Sequence, residues 1–260
     1  GAYITPWQSY YDPEETPYFR RVENGEGQVW GFTLLNNELL MGHHEGAFQI
    51  KGNVASSIST EPGSWTYVPL NDQYMMAGTY NGLVLYRKEN GKWILHNKIN
   101  SIDEWCRIMV KDDDGSIWVS HPYRGLYYVK WNEAEKYEPD VKFFDLSGGL
   151  PSNLNNYVFS IAGKAVFGTE KGVYAFDKNQ SRFYPDTSFN HLIGDDHRVK
   201  AMKEDQKGNI WYVTDQEVGL MLVNDFGVKK EVSKKIFPEL AGKLVGGFEF
   251  IYPVDENNVL

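Results

Sequence analysis

Hydrophobic and polar residues alternate in short runs along this chain, and turns rich in Gly, Asn and Asp separate the runs. Alternation with a period of two over four to eight residues predicts half-buried β-strands. One stretch of this kind contains four predicted strands, which are Cys106–Lys111, Ser116–Ser120, Gly125–Trp131 and Val141–Leu146. A tight acidic turn joins the first strand to the second, as expected for a hairpin.

The same four-strand run recurs along the chain when it is aligned on the glycine that begins the third strand. The aligned glycines are Gly46, Gly82, Gly125, Gly172 and Gly219, spaced by 36, 43, 47 and 47 residues. A repeat of about 40–50 residues with four strands in each unit is typical of a β-propeller blade. The five complete repeats run approximately over 29–60, 64–99, 106–147, 156–187 and 198–233.

A half blade is predicted at each end of the chain. Residues 1–22 read as a third and a fourth strand, and residues 246–260 read as a first strand and the beginning of a second. We therefore predict an all-β fold, a β-propeller of four-stranded antiparallel blades that forms a single domain over 1–260. Two arrangements stay open: the half blades close a six-bladed ring, or the chain is a fragment of a larger propeller in a longer, multi-domain protein.

The amino-acid composition argues against some classes of protein function. The chain is 42% hydrophobic and 15% aromatic, which is typical of a globular protein. Its net charge of −9 leaves no basic surface for nucleic acid. No apolar run approaches the ~20 residues of a membrane helix, so no membrane insertion by this segment is expected. Cys106, the single cysteine, stands in an apolar run and is predicted to be a small buried hydrophobic residue.

Two of the units carry a more specific pattern. Residues 112–120 read Asp-Asp-Asp-Gly-Ser-Ile-Trp-Val-Ser and are followed by Arg-Gly-Leu-Tyr, while residues 204–214 end in Gly-Asn-Ile-Trp-Tyr-Val-Thr and are followed by Val-Gly-Leu. Residues 146–153, Leu-Ser-Gly-Gly-Leu-Pro-Ser-Asn, stand before a first strand. Together these motifs resemble the two-component regulator propeller repeat.

The resemblance implies a periplasmic sensor region like those of the hybrid two-component regulators of gut bacteria. In such proteins two propellers precede a β-sandwich with three Tyr motifs, a membrane span and a kinase or DNA-binding output. The chain would then be an extracytoplasmic, ligand-sensing part of a protein anchored in the inner membrane. Its partners would be a small-molecule or oligosaccharide ligand and the neighbouring propeller and β-sandwich domains of the same longer chain, with a dimer as a further option.

On this interpretation the segment is not an enzyme and needs no cofactor, and any kinase activity lies in domains outside this chain. Two other functions stay open because one fold hosts many activities. The first is a scaffold for protein–protein interaction, which predicts a large exposed apolar patch. The second is a propeller lyase or hydrolase, which predicts titratable groups clustered in one pocket.

In a propeller, the loops between second and third strands and the loops that lead into first strands emerge on one face. A sugar is held there by hydrogen bonds to its hydroxyls and by an aromatic ring against its apolar face. The predicted ligand-binding residues on these loops are Tyr80, Trp105, His121, Tyr123, Arg124, Asn155, His197 and Arg198. Each of these residues is also typical of an ordinary solvent-exposed loop. The test of the prediction is therefore whether their side chains lie together. Trp118 and Trp211 stand within strands and are predicted to be packing residues.

Metal and catalytic interpretations are weaker, and neither a metal site nor a catalytic residue is predicted. His43 and His44 are adjacent, so a strand would send them to opposite faces. The carboxylates of 112–114 are crowded in one turn and lack the spaced oxygen ligands of a calcium loop. An acid–base set for a lyase or hydrolase could be drawn from His121, Arg124, Glu170 and Asp215.

Overall fold

The computed structural model of the chain describes residues 1–5, 18–121, 123–133, 138–224, 229–231 and 251–253. The chain forms two compact units, one of Gly1–Arg107 with Glu135–Glu138 and one of Ile108–Ala134 with Pro139–Leu260. Within each unit, consecutive strands pair in order as antiparallel meanders. This topology confirms the predicted four-stranded antiparallel blades.

The first unit contains a two-stranded sheet and two four-stranded sheets. The small sheet pairs β1 (Tyr3–Ile4) with β2 (Arg20–Arg21). The next sheet has the order β3 (Val29–Leu35), β4 (Glu38–His43), β5 (Gly46–Lys51) and β6 (Val54–Ser59). The third sheet consists of β7 (Tyr67–Pro69), β8 (Tyr74–Thr79), β9 (Gly82–Glu89) and β10 (Lys92–Ile99).

The second unit contains three four-stranded sheets. The first consists of β11 (Ile108–Lys111), β12 (Ile117–His121), β13 (Gly125–Lys130) and β14 (Asp140–Phe144). The second consists of β15 (Tyr157–Ile161), β16 (Lys164–Thr169), β17 (Gly172–Asp177) and β18 (Arg182–Pro185). The third consists of β19 (Val199–Glu204), β20 (Ile210–Thr214), β21 (Val218–Val223) and β22 (Lys229–Glu231).

Two short helical segments of the second unit have defined bounds. A 3-10 turn spans Leu146–Gly148, and helix α1 spans Thr187–Ile193 after β18. The sequence analysis did not predict α1. The Asp186 side chain caps the helix by accepting a hydrogen bond from the Ser188 amide. Neither segment, nor any other helix in the described part of the chain, is long and apolar enough to cross a membrane.

The strands differ from prediction mainly at their beginnings. Strand β11 begins at Ile108 rather than Cys106. The Cys106 amide instead donates an isolated backbone hydrogen bond, outside a ladder, to the Thr79 carbonyl at 3.0 Å. The small β1–β2 sheet lies within residues 1–22, where a half blade is predicted. The half blade predicted over 246–260 lies outside the described residues, apart from 251–253.

The recurring glycine has a steric explanation. Gly82 begins β9 with a φ of +93°, and a β-carbon there would overlap the Ile102 carbonyl oxygen. Gly125 begins β13 with a φ of +137°, and a β-carbon there would overlap the Phe144 carbonyl oxygen. The chain leaving the outer strand of a sheet thus passes close to the start of the third strand, where only glycine fits.

In the first unit, the sheet β3–β6 packs on both of its faces. One face contacts the sheet β7–β10 through a cluster that includes Leu40, Tyr67 and Tyr86. Ala2 and Val22, beside the β1–β2 sheet, cover part of the opposite face by packing against Met41, Ile50 and Ala55. On that side the edge strand β3 is exposed in the described part of the chain, with Phe32 53% and Leu34 70% exposed.

In the second unit, Trp118 lies at the centre of an aromatic cluster. Its side chain is fully buried, and its ring centroid lies 4.8–5.7 Å from those of Tyr128, Phe144, Phe167, Phe176 and Phe183. The predicted packing role of Trp118 is confirmed. Trp211 differs, because it is only half-buried and its indole nitrogen donates a hydrogen bond to Asp205 Oδ2 at 3.3 Å.

Candidate functional site

In the first unit, a tight turn between β8 and β9 positions Tyr80. The Thr79 hydroxyl accepts a hydrogen bond from the Asn81 amide at 3.1 Å and donates one to the Gly82 carbonyl at 3.0 Å. Thr79 is fully buried, so its side chain anchors the turn in the interior of the unit. The Tyr80 ring lies flat against Gly63, where a β-carbon would overlap it. Both constraints hold the ring in one place at the end of the sheet.

Four aromatic side chains surround Tyr80. Its ring centroid lies 5.6 Å from His44, 5.8 Å from Trp65, 6.2 Å from Trp105 and 6.3 Å from Trp30. Such separations are typical of edge-to-face ring pairs. The Tyr80 hydroxyl is 3.0 Å from His44 Nδ1, so a hydrogen bond also fixes the polar end of the ring. We call Trp30, His44, Trp65, Tyr80, Trp105 and Arg107 the aromatic cluster.

Within the aromatic cluster, three indoles and one guanidinium form a stack. Trp30 and Trp65 lie nearly parallel, with ring centroids 4.2 Å apart and 20° between their planes. The Arg107 guanidinium carbon lies 4.5 Å from the Trp65 ring centroid and 4.8 Å from that of Trp105. Because Trp30 fills one face of Trp65, Arg107 must occupy the other. Trp105 is 47% exposed and is therefore the ring that offers an open surface.

Several donors in the cluster have no acceptor. The indole nitrogens of Trp30 and Trp65 and the Nε of Arg107 are buried without a hydrogen-bond partner among the described residues. An unsatisfied buried donor costs about 1–3 kcal/mol, and native proteins tolerate few of them. These three donors could each bind an acceptor group of a ligand that reaches them.

Sequence reasoning selected Tyr80 and Trp105 and missed the other aromatic members. Trp30 and Trp65 stand near the starts of the first strands of their repeats, as Trp105 does in the next repeat. Applying the rule that selected Trp105 to every repeat would have found them. No sequence pattern indicates Arg107, because its position between two rings depends on the side-chain rotamers of the arginine and the tryptophans.

The other six predicted residues lie in the second unit. His121 is nearly buried, and its Nδ1 accepts a hydrogen bond from the Tyr123 amide at 3.3 Å. Tyr123 is 66% exposed, and Arg124 beside it is also exposed. Burial raises the pKa of Tyr157, while the charge of Arg198 opposes that rise and Tyr123 adds to it.

The remaining polar residues of the second unit largely bond to one another. Asn155, with a φ of +56°, donates from Nδ2 to Glu170 Oε1 at 2.7 Å. The Arg198 amide donates to Asp215 Oδ1 at 3.1 Å. His197 Nε2 lies 3.3 Å from an Asp196 carboxylate oxygen. Two carboxylates of the proposed acid–base set, on residues 170 and 215, thus already accept hydrogen bonds from neighbouring loops.

The two adjacent histidines have different partners. His43 is buried, and its Nε2 lies 2.5 Å from the Glu26 carbonyl oxygen while its Nδ1 accepts the Glu45 amide at 3.0 Å. Nε2 therefore carries the proton, and the ring is neutral. Burial lowers the pKa of His43, in agreement with this bonding. His44 instead belongs to the aromatic cluster, so the pair does not converge on one metal position.

The acidic turn of the second unit encloses a lysine. Carboxylate oxygens of Asp112, Asp113 and Asp114 lie within 4.8 Å of one another. The Lys178 ammonium lies 3.1, 3.2 and 2.9 Å from these three carboxylates. Burial alone would raise the pKa of Asp114, but hydrogen bonds from Ser116 and Lys178 outweigh it and lower that pKa to about 2. The protein's own ammonium thus holds the position that a cation would take.

A cavity of about 720 Å³ opens beside this turn in the second unit. Its wall includes Phe167, Phe176 and Phe189, and its charged lining residues include Asp112 and Lys178. None of the eight predicted ligand-binding residues lines it.

Comparisons with known proteins identify the fold. No family model matches the chain, and no curated protein matches it significantly. The extracellular domain of BT4673 from B. thetaiotaomicron, classed with one-component systems, matches with 16% identity and a TM-score of 0.56 over 92% of this chain and 38% of that one. The extracellular domain of the hybrid two-component system BT3049 from the same organism matches with 16% identity and a TM-score of 0.53, over 82% of this chain and 30% of that one.

A third similar structure is an enzyme. The catalytically inactive virginiamycin B lyase from Staphylococcus aureus, solved with quinupristin, has 10% identity and a TM-score of 0.55, over 86% of this chain and 76% of that one. The present chain spans less than two fifths of the length of the two B. thetaiotaomicron domains. At these identities the likeness establishes the fold alone, and it confirms that the chain is a β-propeller of four-stranded antiparallel blades.

Proposed function

We propose that this chain is a ligand-sensing, extracytoplasmic part of a two-component-type regulator and that it binds a carbohydrate non-covalently at the aromatic cluster. The observation that carries the proposal is the arrangement around Tyr80, where an exposed Trp105 ring stands beside unsatisfied nitrogen donors. The structural likeness to extracellular domains of one-component and two-component systems supports the sensor role.

The cluster has the chemistry that a sugar requires. Aromatic faces bury the apolar face of a sugar ring, and adjacent donors and acceptors bind its hydroxyls. Trp105 supplies the exposed face, while His44 and the Tyr80 hydroxyl supply polar groups at its margin. Rings that are already packed against one another lose little entropy on binding, which favours affinity.

The proposal places the chain in the periplasm, as part of an inner-membrane-anchored protein, and assigns it no catalytic step. Ligand binding would alter the packing between this propeller and the neighbouring propeller and β-sandwich domains of the longer protein. Kinase or DNA-binding output would belong to those other parts.

The test is thermal unfolding of the chain with a panel of neutral and acidic mono- and oligosaccharides at millimolar concentration. A ligand at about 100 times its Kd stabilises the folded state by about 2.7 kcal/mol, which is readily seen as a shifted midpoint. Trp105→Ala should abolish the shift, whereas Tyr184→Ala, a change at a ring that is 49% exposed elsewhere, should leave it intact. A panel without any selective shift would contradict carbohydrate binding.

A second candidate function is a scaffold for a protein partner, and one observation favours it. Among the described residues, Phe32 and Leu34 are exposed on one face of strand β3, and Tyr3 and Ile4 are exposed on the neighbouring small sheet. Exposed apolar groups of this kind mark interaction sites. Sedimentation of Leu34→Ser against the parent chain tests this candidate, because loss of association in the variant would support it.

A further inference from the structure

Arg107 is held in place by its backbone on both sides. The Cys106 amide donates to the Thr79 carbonyl at 3.0 Å, and the Thr66 hydroxyl donates to the Arg107 carbonyl at 2.8 Å. Cys106 is buried and anchors the chain just before the arginine. The Arg107 side chain therefore leaves a fixed backbone and enters the space between Trp65 and Trp105.

The Arg107 guanidinium is flanked by two indole rings. Its carbon is 4.5 Å and 4.8 Å from the two indole centroids, within the range of a cation–π interaction. Among the described residues, no carboxylate forms an ion pair with Arg107, and its Nε has no hydrogen-bond acceptor. Carboxylates are plentiful in this chain, which has 35 acidic and 26 basic residues. Arg87, in the same unit, forms an ion pair with Glu89.

Stacking determines which part of the guanidinium a ligand can reach. The guanidinium carbon lies over both rings and Nε is buried, so the terminal N–H groups are the part that a ligand can bind. Those N–H groups form a rigid fork that matches the paired oxygens of a carboxylate, sulfate or phosphate. Because the rings already restrain the fork, a ligand would order it at little further cost in entropy.

We propose that Arg107 binds an oxyanion and that the aromatic cluster selects an acidic sugar, one that carries a carboxylate or sulfate group, over its neutral counterpart. This inference rests on the proposed function for the sugar ring, whereas the oxyanion site depends only on Arg107 and its two indoles. The sugar ring would lie on Trp105, with its charged group directed to the edge of the guanidinium.

The experiment compares binding of matched probes to the intact chain by tryptophan emission and calorimetry. The probes are oligogalacturonate, a sulfated disaccharide, a neutral oligosaccharide of equal length, and sodium sulfate alone. Arg107→Gln removes the charge, and Arg107→Lys keeps it without the fork. Arg87→Gln is the matched control, because Arg87 is paired with Glu89 on strand β9, away from the turn that carries Tyr80.

We expect an acidic probe to bind at least about tenfold more tightly than the neutral one, with the preference weakening as salt is added. Arg107→Gln should remove that preference, Arg107→Lys should retain part of it, and Arg87→Gln should leave it unchanged. Preference for oligogalacturonate over the sulfated probe would assign the carboxylate, and the reverse preference would assign sulfate.

Other outcomes separate this inference from the proposed function. Equal binding of acidic and neutral sugars, unchanged in Arg107→Gln, would overturn the oxyanion site and leave carbohydrate binding in place. Binding of sulfate alone that depends on Arg107, without binding of any sugar, would support the oxyanion site and contradict the sugar. Absence of binding by every probe would overturn both.

Discussion

Replacing Lys178 by Met tests the electrostatics of the acidic turn. The Lys178 ammonium lies about 3 Å from Asp112, Asp113 and Asp114, so its removal leaves three carboxylates that repel one another. The variant should unfold at lower urea concentration at pH 7. Lys142→Met, which removes an exposed lysine from strand β14, is the matched control and should behave like the parent chain.

The magnitude follows from Asp114. Its pKa falls from an ordinary 3.8 to about 2, a difference of about 1.8 units that corresponds to ~2.4 kcal/mol at 1.36 kcal/mol per unit. Ser116 supplies part of this shift and would remain in the variant. The Asp114 side chain is 37% exposed, so solvent screens much of the rest. We therefore expect Lys178→Met to lower the free energy of unfolding by about 1 kcal/mol.

The pH dependence has a definite sign. A carboxyl group whose pKa is lowered by folding stabilises the protein above its ordinary pKa, and that contribution is lost as pH falls from 3.8 towards 2. The difference between the parent and Lys178→Met should thus be constant from pH 7 to about 5 and should shrink at more acidic pH. Urea unfolding at pH 7, 5, 4 and 3 measures it. A difference near zero at pH 7, or one that grows on acidification, would refute the reasoning.

The other predictions concern packing and access. Trp118→Ala should cost about 3–5 kcal/mol of unfolding free energy in urea, because the ring is fully buried, while Trp211→Ala should cost clearly less because that ring is half-exposed. Gly82→Ala should destabilise the chain more than Gly91→Ala, since both have positive φ but only Gly82 faces a backbone carbonyl; equal unfolding midpoints would contradict this. Burial raises the pKa of the Cys106 thiol, so a thiol reagent should modify it slowly in the native chain and fast in urea; rapid native labelling would contradict its burial.

The repeat pattern was enough to predict the sheets, and the reason is local. Each blade is a meander of consecutive strands, so alternation and turn residues within one repeat specify its pairing. The recurring glycine at positions such as Gly125 marks the third strand because only glycine fits there. Helix α1 escaped prediction because its seven residues form only about two turns, too short a run for helical spacing of apolar residues to stand out, and its Asp186 cap resembles an ordinary turn residue.

The candidate site was only partly predictable. The position of Tyr80 follows from the turn that Thr79 fixes, so a repeat alignment finds it. The stack of Trp65, Arg107 and Trp105 depends on side chains from separate loops, about 40 residues apart in the chain, and on their rotamers. No sequence pattern within one repeat predicts that these three side chains contact one another. Similarly, the sequence shows three adjacent aspartates but not that Lys178, from another sheet, neutralises them.

The exposure of Phe32 and Leu34 on strand β3, as seen in the described part of the chain, has a consequence for how the chain behaves during purification and crystallisation. Phe32 and Leu34 project from the same side of an edge strand, and their apolar surface faces water. Adding kosmotropic salt strengthens contacts between such surfaces and should lower the solubility of the chain. A serine at both positions should raise the salt concentration at which the protein precipitates, with little effect on its unfolding midpoint.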